Sequence, residues 1–174
     1  MKLLIASDIH GSYKYTAKMI EIAKEEKVDK IILLGDILYH GPRNNLPKGF
    51  APKKVVSILN ENKNMIAGVK GNCDAEIDLE VLSFPISEEL DLYRNDLKIH
   101  FEHGHKLKSK YDCNIVFYGH YHIHKFEKID GICYVNPGSL GLPKENQDHS
   151  FAMLEGNTIT IRNTKNKVLS THLV

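Results

Sequence analysis

The sequence is short of cysteine, of any surplus of one charge and of long apolar runs, and each shortage removes a class of function. Its three cysteines, Cys73, Cys113 and Cys133, lie far apart with no CxxC pair, which excludes a zinc ribbon. An odd number at wide spacing suits reduced thiols in a reducing compartment. Lysine and arginine together number 23 against 22 acidic residues, whereas a nucleic-acid or membrane surface ordinarily shows a basic excess. No apolar stretch approaches the ~20 residues of a membrane span, and the apolar run at residues 3–6 is too short for the core of a signal peptide. The expected location is the cytoplasm. Internal repeats, linkers and low-complexity segments are missing too, and 174 residues fit one domain, 1–174, with a real core.

What the chain does have is ten histidines, most of them in its second half. Residues 3–6 read as a strand buried on both faces and end in Ser7-Asp8-Ile9-His10-Gly11. A helix follows over 15–26, with Met19, Ile20 and Ala23 on one face, then a second buried strand over 31–34 that ends in Gly35-Asp36. This β-α-β order implies parallel pairing through a right-handed crossover. A loop rich in Pro, Gly and Asn spans 40–51, Pro52 opens a helix to about residue 61, and a third strand over 65–69 ends in Gly71-Asn72-Cys73-Asp74. Beyond it the pattern turns to hairpins: 90–93 with 97–101 around Arg94-Asn95-Asp96, 126–129 with 132–135 around Asp130-Gly131, and 151–154 with 159–161 around Gly156-Asn157,. A strand over 115–118 leads into Gly119-His120-Tyr121-His122. The fold class is α/β, with two packed sheets and helices outside them.

Side chains able to hold a metal stand at the carboxyl ends of successive strands: Asp8 and His10, Asp36, Asn72, His103, then His120 and His122. In α/β sheets that edge is where ligands bind. Residues i and i+2 of an extended segment point the same way, so Asp8 with His10, and His120 with His122, are expected to face one pocket. Gly35, Gly71 and Gly119 each precede a ligand, where a missing side chain lets the backbone turn and approach closely. A mixed Asp/Asn/His set suits Mn²⁺, Fe²⁺, Ni²⁺ or catalytic Zn²⁺. His100, His149 and His172 read as ordinary hydrogen-bonded or exposed residues.

In family order, Asp8-Ile9-His10, Gly35-Asp36, Gly71-Asn72-Cys73-Asp74, His103-Gly104-His105 and Gly119-His120-Tyr121-His122 resemble the calcineurin-like metallophosphoesterase superfamily. Ser7 to Ser12, His40-Gly41-Pro42-Arg43-Asn44 and Asn136-Pro137-Gly138-Ser139 look like the small YfcE-type bacterial phosphodiesterases. The resemblance implies a four-layer α-β-β-α sandwich of two mixed sheets flanked by helices, the metallo-dependent phosphatase fold. It implies one metal on Asp8, His10, Asp36 and His122, and a second on Asp36, Asn72, His103 and His120, with Asp36 bridging. It implies Mn²⁺, Ni²⁺, Zn²⁺ or Fe²⁺ ions, Mn²⁺ first, and a small phosphate ester, by preference a diester, attacked directly by a metal-bound water or hydroxide. Two such ions ~3.5–4 Å apart clamp both oxygens of an in-line displacement.

Asp36, Asn72 and His105 are the expected catalytic groups, and Gly11, Arg43, Asn44 and Cys73 the expected substrate contacts. Many members of the superfamily carry His where this chain has Cys73, so His40, His105 or a water is left to protonate the leaving group. Cys73 itself reads first as a small packing residue. The loop 40–50 and the segment 136–143 are expected to shape the pocket. Two rival readings remain: a protein-binding scaffold of the same fold, like the small retromer subunit, and a metal-dependent nuclease. Retention of every ligand argues against the first and the near-neutral charge against the second. No nucleic-acid or membrane partner is expected, and a homo-oligomer is left open.

Overall fold

The computed structural model describes residues 1–94 and 96–174. Twelve strands and three α-helices follow in chain order: β1 Lys2–Ala6, α1 Tyr13–Glu25, β2 Lys30–Leu33, α2 Pro52–Glu61, β3 Ile66–Val69, α3 Glu76–Val81, β4 Ile86–Ser87, β5 Glu89–Arg94, β6 Leu97–Glu102, β7 Ile115–Tyr118, β8 His124–Ile129, β9 Ile132–Pro137, β10 Ser150–Glu155, β11 Thr158–Asn163 and β12 Val168–Leu173. They make a seven-stranded sheet in the order β12-β11-β10-β1-β2-β3-β4 and a five-stranded sheet in the order β5-β6-β7-β9-β8. The first four strands pair in parallel, as the crossover pattern requires. β6, β7 and β9 do likewise in the smaller sheet.

Period-two alternation explains why the sheets stack. On β1 and β2, Leu4, Ala6, Ile31 and Leu33 face α1 and α2, where they meet Met19, Ala23, Val55 and Leu59. Leu3, Ile5, Ile32 and Leu34 face the other way, onto Ile99, Phe101, Ile115 and Phe117 of the smaller sheet. These strands are therefore buried on both faces, which is why they lack polar alternation. Their polar residues gather past the strand ends, and that positions the site.

Several elements differ from the expectation. α1 begins at Tyr13, two residues early, because Ser12 stands extended at its N-cap and its hydroxyl donates to the Lys48 carbonyl at 2.6 Å. α3, β4 and β12 were not expected. α3 buries no side chain, β4 has two residues, and β12 is a partly exposed edge, so none carries a clear apolar period. The Asp130-Gly131 hairpin has both turn residues at positive φ, 49° and 84°, the geometry a tight two-residue turn needs. β5 and β6 pair antiparallel as expected; Asn95 of the expected turn lies outside the described residues. The helical cover is one-sided: α1 and α2 pack on the larger sheet. Among the described residues the outer face of the smaller sheet carries no helix; its apolar part is the small cluster of Tyr111, Val116 and Tyr118 with Cys113, Ile132 and Tyr134.

Candidate metal centre

The turns after β1, β2, β3, β6 and β7 bring Asp8, His10, Asp36, Asn72, His103, His120 and His122 to one edge of the sandwich. His10 Nε2 and His122 Nε2 stand 3.2 Å apart, and Asp8 Oδ1 lies 3.2 Å from His122 Nε2 and 3.7 Å from His10 Nε2. Asp36 lies between two groups: its Oδ2 is 3.7 Å from His10 Nε2 and its Oδ1 is 3.4 Å from His103 Nε2. Asn72 Oδ1 approaches His103 Nε2 to 3.0 Å. The rings of His103 and His120 meet edge to face with centroids 5.2 Å apart.

Convergence is not achieved by strand alternation. Asp8, His10, Asp36, His120 and His122 all have positive φ, between 50° and 69°. The strands end at Ala6, Leu33 and Tyr118, so these residues sit in left-handed turns beyond them, a conformation costly for non-glycine residues and concentrated at functional sites. The surrounding turns hold one another there. His10 N–H donates to the Asp36 carbonyl and Asp8 N–H to the Gly35 carbonyl. The Asp74 carboxylate, in the Gly71-Asn72-Cys73-Asp74 turn, accepts the N–H groups of Gly71, Asp36 and Ile37 at 2.7 to 2.8 Å. A Cβ on Gly71 would stand 2.2 Å from Asp36 Oδ1, and one on Gly119 1.8 Å from Ser7 Oγ. That is why glycine precedes each of these ligands.

The hydrogen bonding identifies what the centre is built to hold. His10, His103 and His122 each direct Nδ1 at a backbone carbonyl, of Tyr39, Leu34 and Leu142, at 2.6 to 2.7 Å. That contact requires N–H on Nδ1, so each neutral ring turns a lone pair on Nε2 inward. Two inward lone pairs 3.2 Å apart on His10 and His122 cannot hydrogen-bond each other. Asp8 Oδ1, fully buried, has no hydrogen-bond partner. A set of buried acceptors with no donor among them fits cations. A mixed nitrogen and oxygen set with no thiolate fits borderline divalent metals.

The electrostatics agree. Burial works against charge on Asp8, yet the imidazole of His122 outweighs it and holds the carboxyl below its ordinary value. Asp36 is likewise depressed despite burial, by His103 and by the Cys73 N–H that donates to its Oδ1 at 2.8 Å. Burial lowers His10, and burial with the neighbouring His103 lowers His120, so both are ready as neutral ligands. His103 is the exception: burial lowers it, but the Asp36 carboxylate outweighs burial and lifts it to about 9, so its Nε2, 3.4 Å from Asp36 Oδ1, holds either a proton or a cation.

A cleft of about 860 Å³ opens onto the centre. Asp36, Asn72, His120 and His122 form its floor, and Arg43, Asn44, Cys73, Tyr39, Tyr121 and Lys144 its walls. Of the expected substrate contacts, Arg43, Asn44 and Cys73 thus line the cleft. Gly11 does not line the cleft; it lies under Leu38 and Phe50, where its positive φ of 77° and lack of a side chain let the chain pass. His105 sits behind the floor, with its ring 5.4 Å from that of His103 and lining a different cavity. His40 packs its ring edge against Phe50. Of the loop 40–50, residues Gly41 to Asn44 reach the cleft, whereas the segment 136–143 supports it from below. Ser139 Oγ donates to the Asp8 carbonyl at 2.7 Å and Asn136 Nδ2 to the Gly119 carbonyl at 2.8 Å. Tyr39, Tyr121 and Lys144 were missed: Tyr121 lies inside a recognised motif, but nothing in sequence aims Tyr39 or Lys144 at the cleft.

The family model of the calcineurin-like phosphoesterase superfamily domain matches residues 1–158. The chain belongs to that superfamily. It is 36% identical over 167 residues to phosphodiesterase YfcE of Escherichia coli K12, covering 92% of this chain and 91% of the relative. It is 31% identical over 149 residues to a probable metallophosphoesterase of Mycoplasma pneumoniae, covering 82% and 81%. The solved structure of the Escherichia coli YfcE phosphoesterase superposes with a TM-score of 0.93 at 35% identity over 99% of both chains. Vacuolar Protein Sorting 29 from Cryptosporidium parvum superposes with a TM-score of 0.67 at 19% identity over 99% and 98%, a likeness of fold alone. The expected family and the two-sheet fold are thereby established, and with the family comes dependence on divalent metal ions.

Proposed function

We propose that this chain is a dinuclear, metal-dependent phosphodiesterase acting on a small phosphate ester in the cytoplasm. The observation that carries the reading is the ring of inward-facing acceptors: Nε2 of His10, His103 and His122 with the orphaned Asp8 Oδ1, around an Asp36 that offers one oxygen to each side. Asp8, His10, Asp36 and His122 would hold one ion, and Asp36, Asn72, His103 and His120 the other, with Mn²⁺ the first choice and Ni²⁺, Zn²⁺ or Fe²⁺ as alternatives. Bound there, two such ions would make water nucleophilic at neutral pH and offset charge on the phosphoryl oxygens.

The rest belongs to the chain's own groups. Arg43 and Lys144, the cations of the cleft wall, bind the anionic phosphoryl oxygens, Arg43 with a planar fork that Lys144 lacks. The Asn72 amide nitrogen donates one N–H to Cys73 Sγ at 3.4 Å and has a second with which to orient the same group. Tyr39 and Tyr121, both nearly half-exposed, give flat faces against which the alcohol portion lies. Cys73 is no proton donor for the leaving group: burial, then the carboxylate of Asp36, pushes its thiol up to about 12. His105, outside the cleft, reaches the leaving group only through water. A substrate whose leaving alcohol needs little protonation fits these groups best. The formal charge of +1 argues against a long polyanion as the natural substrate.

The test is hydrolysis of bis(4-nitrophenyl) phosphate and 4-nitrophenyl phosphate with Mn²⁺, Ni²⁺, Zn²⁺ or chelator. The diester should turn over faster than the monoester, and neither should turn over in chelator. Metal-independent hydrolysis would overturn the reading. Inactivity with every metal would favour the scaffold instead.

A further inference from the structure

A second convergence of ligand atoms lies on the outer face of the smaller sheet, away from the phosphoesterase cleft. On β6, His100 and Glu102 alternate with Ile99 and Phe101, which face the core, so the polar pair points outward. Their cross-strand partners on β5 are Asp91 and Glu89, which puts all four side chains on one face. His100 and Glu102 are only 6% and 7% exposed. His100 Nδ1 lies 2.7 Å from Asp91 Oδ1, and its Nε2 lies 3.4 Å from Glu102 Oε2 and 3.5 Å from Glu89 Oε2. Tyr111 donates its hydroxyl to the other oxygen of Glu102 at 2.7 Å. Lys108 pairs with Glu89 from the solvent side, and Lys98 stands 3.9 Å from Asp91. A cavity of about 360 Å³ opens over the group.

We propose that His100 Nε2, Glu102 Oε2 and Glu89 Oε2 form a site for one divalent ion of the zinc class, separate from the phosphoesterase centre. The three ligand atoms lie within 4.8 Å of one another. A tetrahedral ion with bonds of about 2.0–2.1 Å needs ligand atoms about 3.3–3.4 Å apart, and the two separations from Nε2 are 3.4 and 3.5 Å. The imidazole is oriented as metal-bound histidines are: a carboxylate takes the proton of the far nitrogen, fixes the tautomer and aims the remaining lone pair. Tyr111 does the same for Glu102. One nitrogen and two oxygens leave the fourth position facing the cavity, for water. Lys108, half-exposed, is the group that must swing aside. β5 is the edge strand of its sheet, so the ion would clip that edge to β6. The competing occupant is a proton on Nε2, which would make the cluster a metal-free ion network.

The test is zinc stoichiometry and affinity of the metal-stripped full chain, by elemental analysis after gel filtration and by calorimetry. The native chain, His100→Gln, Asp36→Asn and the double variant are compared. The proposal expects His100→Gln to lose one equivalent while keeping Mn²⁺-supported hydrolysis, and Asp36→Asn to keep that equivalent. The double variant should lose it. Because this equivalent is counted in the Asp36→Asn background, the outcome does not depend on the phosphodiesterase reading. Glu89→Gln, at a half-exposed position that does not disturb the core, should weaken this site at least tenfold and decides the matter if His100→Gln fails to fold. Unchanged stoichiometry in His100→Gln and unchanged affinity in Glu89→Gln would overturn the proposal and leave the proton as occupant.

Discussion

The two histidine–carboxylate clusters differ in what aims their imidazoles. In the phosphoesterase centre, Nδ1 of His10, His103 and His122 is held by main-chain carbonyls, and the ligands sit in left-handed turns beyond strand ends. On β5 and β6, His100 is aimed by the side chain of Asp91, and sheet register alone brings the partners together. The first arrangement depends on the whole set of interlocked turns, so its geometry is tightly determined and damage spreads. The second depends on a few side chains, so single substitutions should dissect it cleanly. Interlocked turns also explain why seven candidate ligands drawn from five segments stay in place although several occupy a costly backbone region,.

The largest effect expected from this difference is at Asp36. Its two oxygens face the two halves of the centre and its backbone joins three turns. Asp36→Asn removes charge from both halves at once. Loss of one electrostatic anchor in an active site commonly costs about 10²–10³ in rate, so kcat/KM on bis(4-nitrophenyl) phosphate should fall at least that far, with lower metal content by elemental analysis. Full activity with unchanged metal content would rule out the bridging role.

Next comes Asp74, which touches no ligand side chain yet holds the Asp36 and Gly71 turns through three N–H donors. Asp74→Ala leaves three buried donors without partners and should cost about 3 kcal/mol in urea unfolding, along with most activity. Asp91→Asn, its counterpart in the other cluster, should leave activity within about twofold of native. If the two variants behaved alike, the contrast between main-chain and side-chain anchoring would be wrong.

The candidate ligands of the first cluster are legible in the sequence because each follows an apolar strand, and strand ends are visible. The anchors are not, since carbonyls of Tyr39, Leu34 and Leu142 leave no residue signature. Asp8 and His10 do converge, 3.7 Å apart, but not by the i, i+2 alternation of an extended strand: the strand stops at Ala6, and no pattern in the sequence announces the left-handed turns that follow. The β5–β6 cluster is not legible in the sequence, where His100 reads as a lone histidine on a strand. Its partners Glu89, Asp91 and Glu102 share its face only once the register is known. Pattern also placed the pocket wall at 136–143, whereas Asn136 and Ser139 act beneath the ligand turns.

A finer test of the first cluster concerns Cys73. Its thiol, at about 12 because of burial and then Asp36, stays neutral at working pH. General acid catalysis is worth about 10²–10⁴-fold. With a neutral thiol and no imidazole at position 73, the rate should therefore depend steeply on leaving-group pKa across aryl diesters, wherever chemistry limits it. Cys73→His should flatten that dependence and raise kcat/KM on the poorest leaving groups about tenfold or more. Cys73→Ser should change little. A flat native profile would mean that another acid serves, with His105 the next residue to replace.

The smallest effect concerns a third kind of polar cluster, at the surface, which sets the lower end of the scale. Glu26 accepts from Lys2 at 2.6 Å, from Asn166 at 2.8 Å and from Arg162 at 3.1 Å, tying the end of α1 to β1 and β11. Lys2 is the first of the causes that hold its carboxyl near 2, against an ordinary 4.5. A depressed folded-state value means the ionised form is favoured by folding. The contribution is thus fully present above the unfolded value and is lost as pH falls through the folded one. The side chain keeps 22% of its exposure, so solvent screening limits the gain to about 1 kcal/mol. Glu26→Gln should unfold more easily than the native chain by about that amount at pH 7. The gap between the two urea midpoints should hold down to about pH 5 and then narrow towards pH 2. A gap that stayed constant over that range would assign the effect to packing or to the uncharged hydrogen bonds, and would remove this ion cluster from the comparison with the two buried ones.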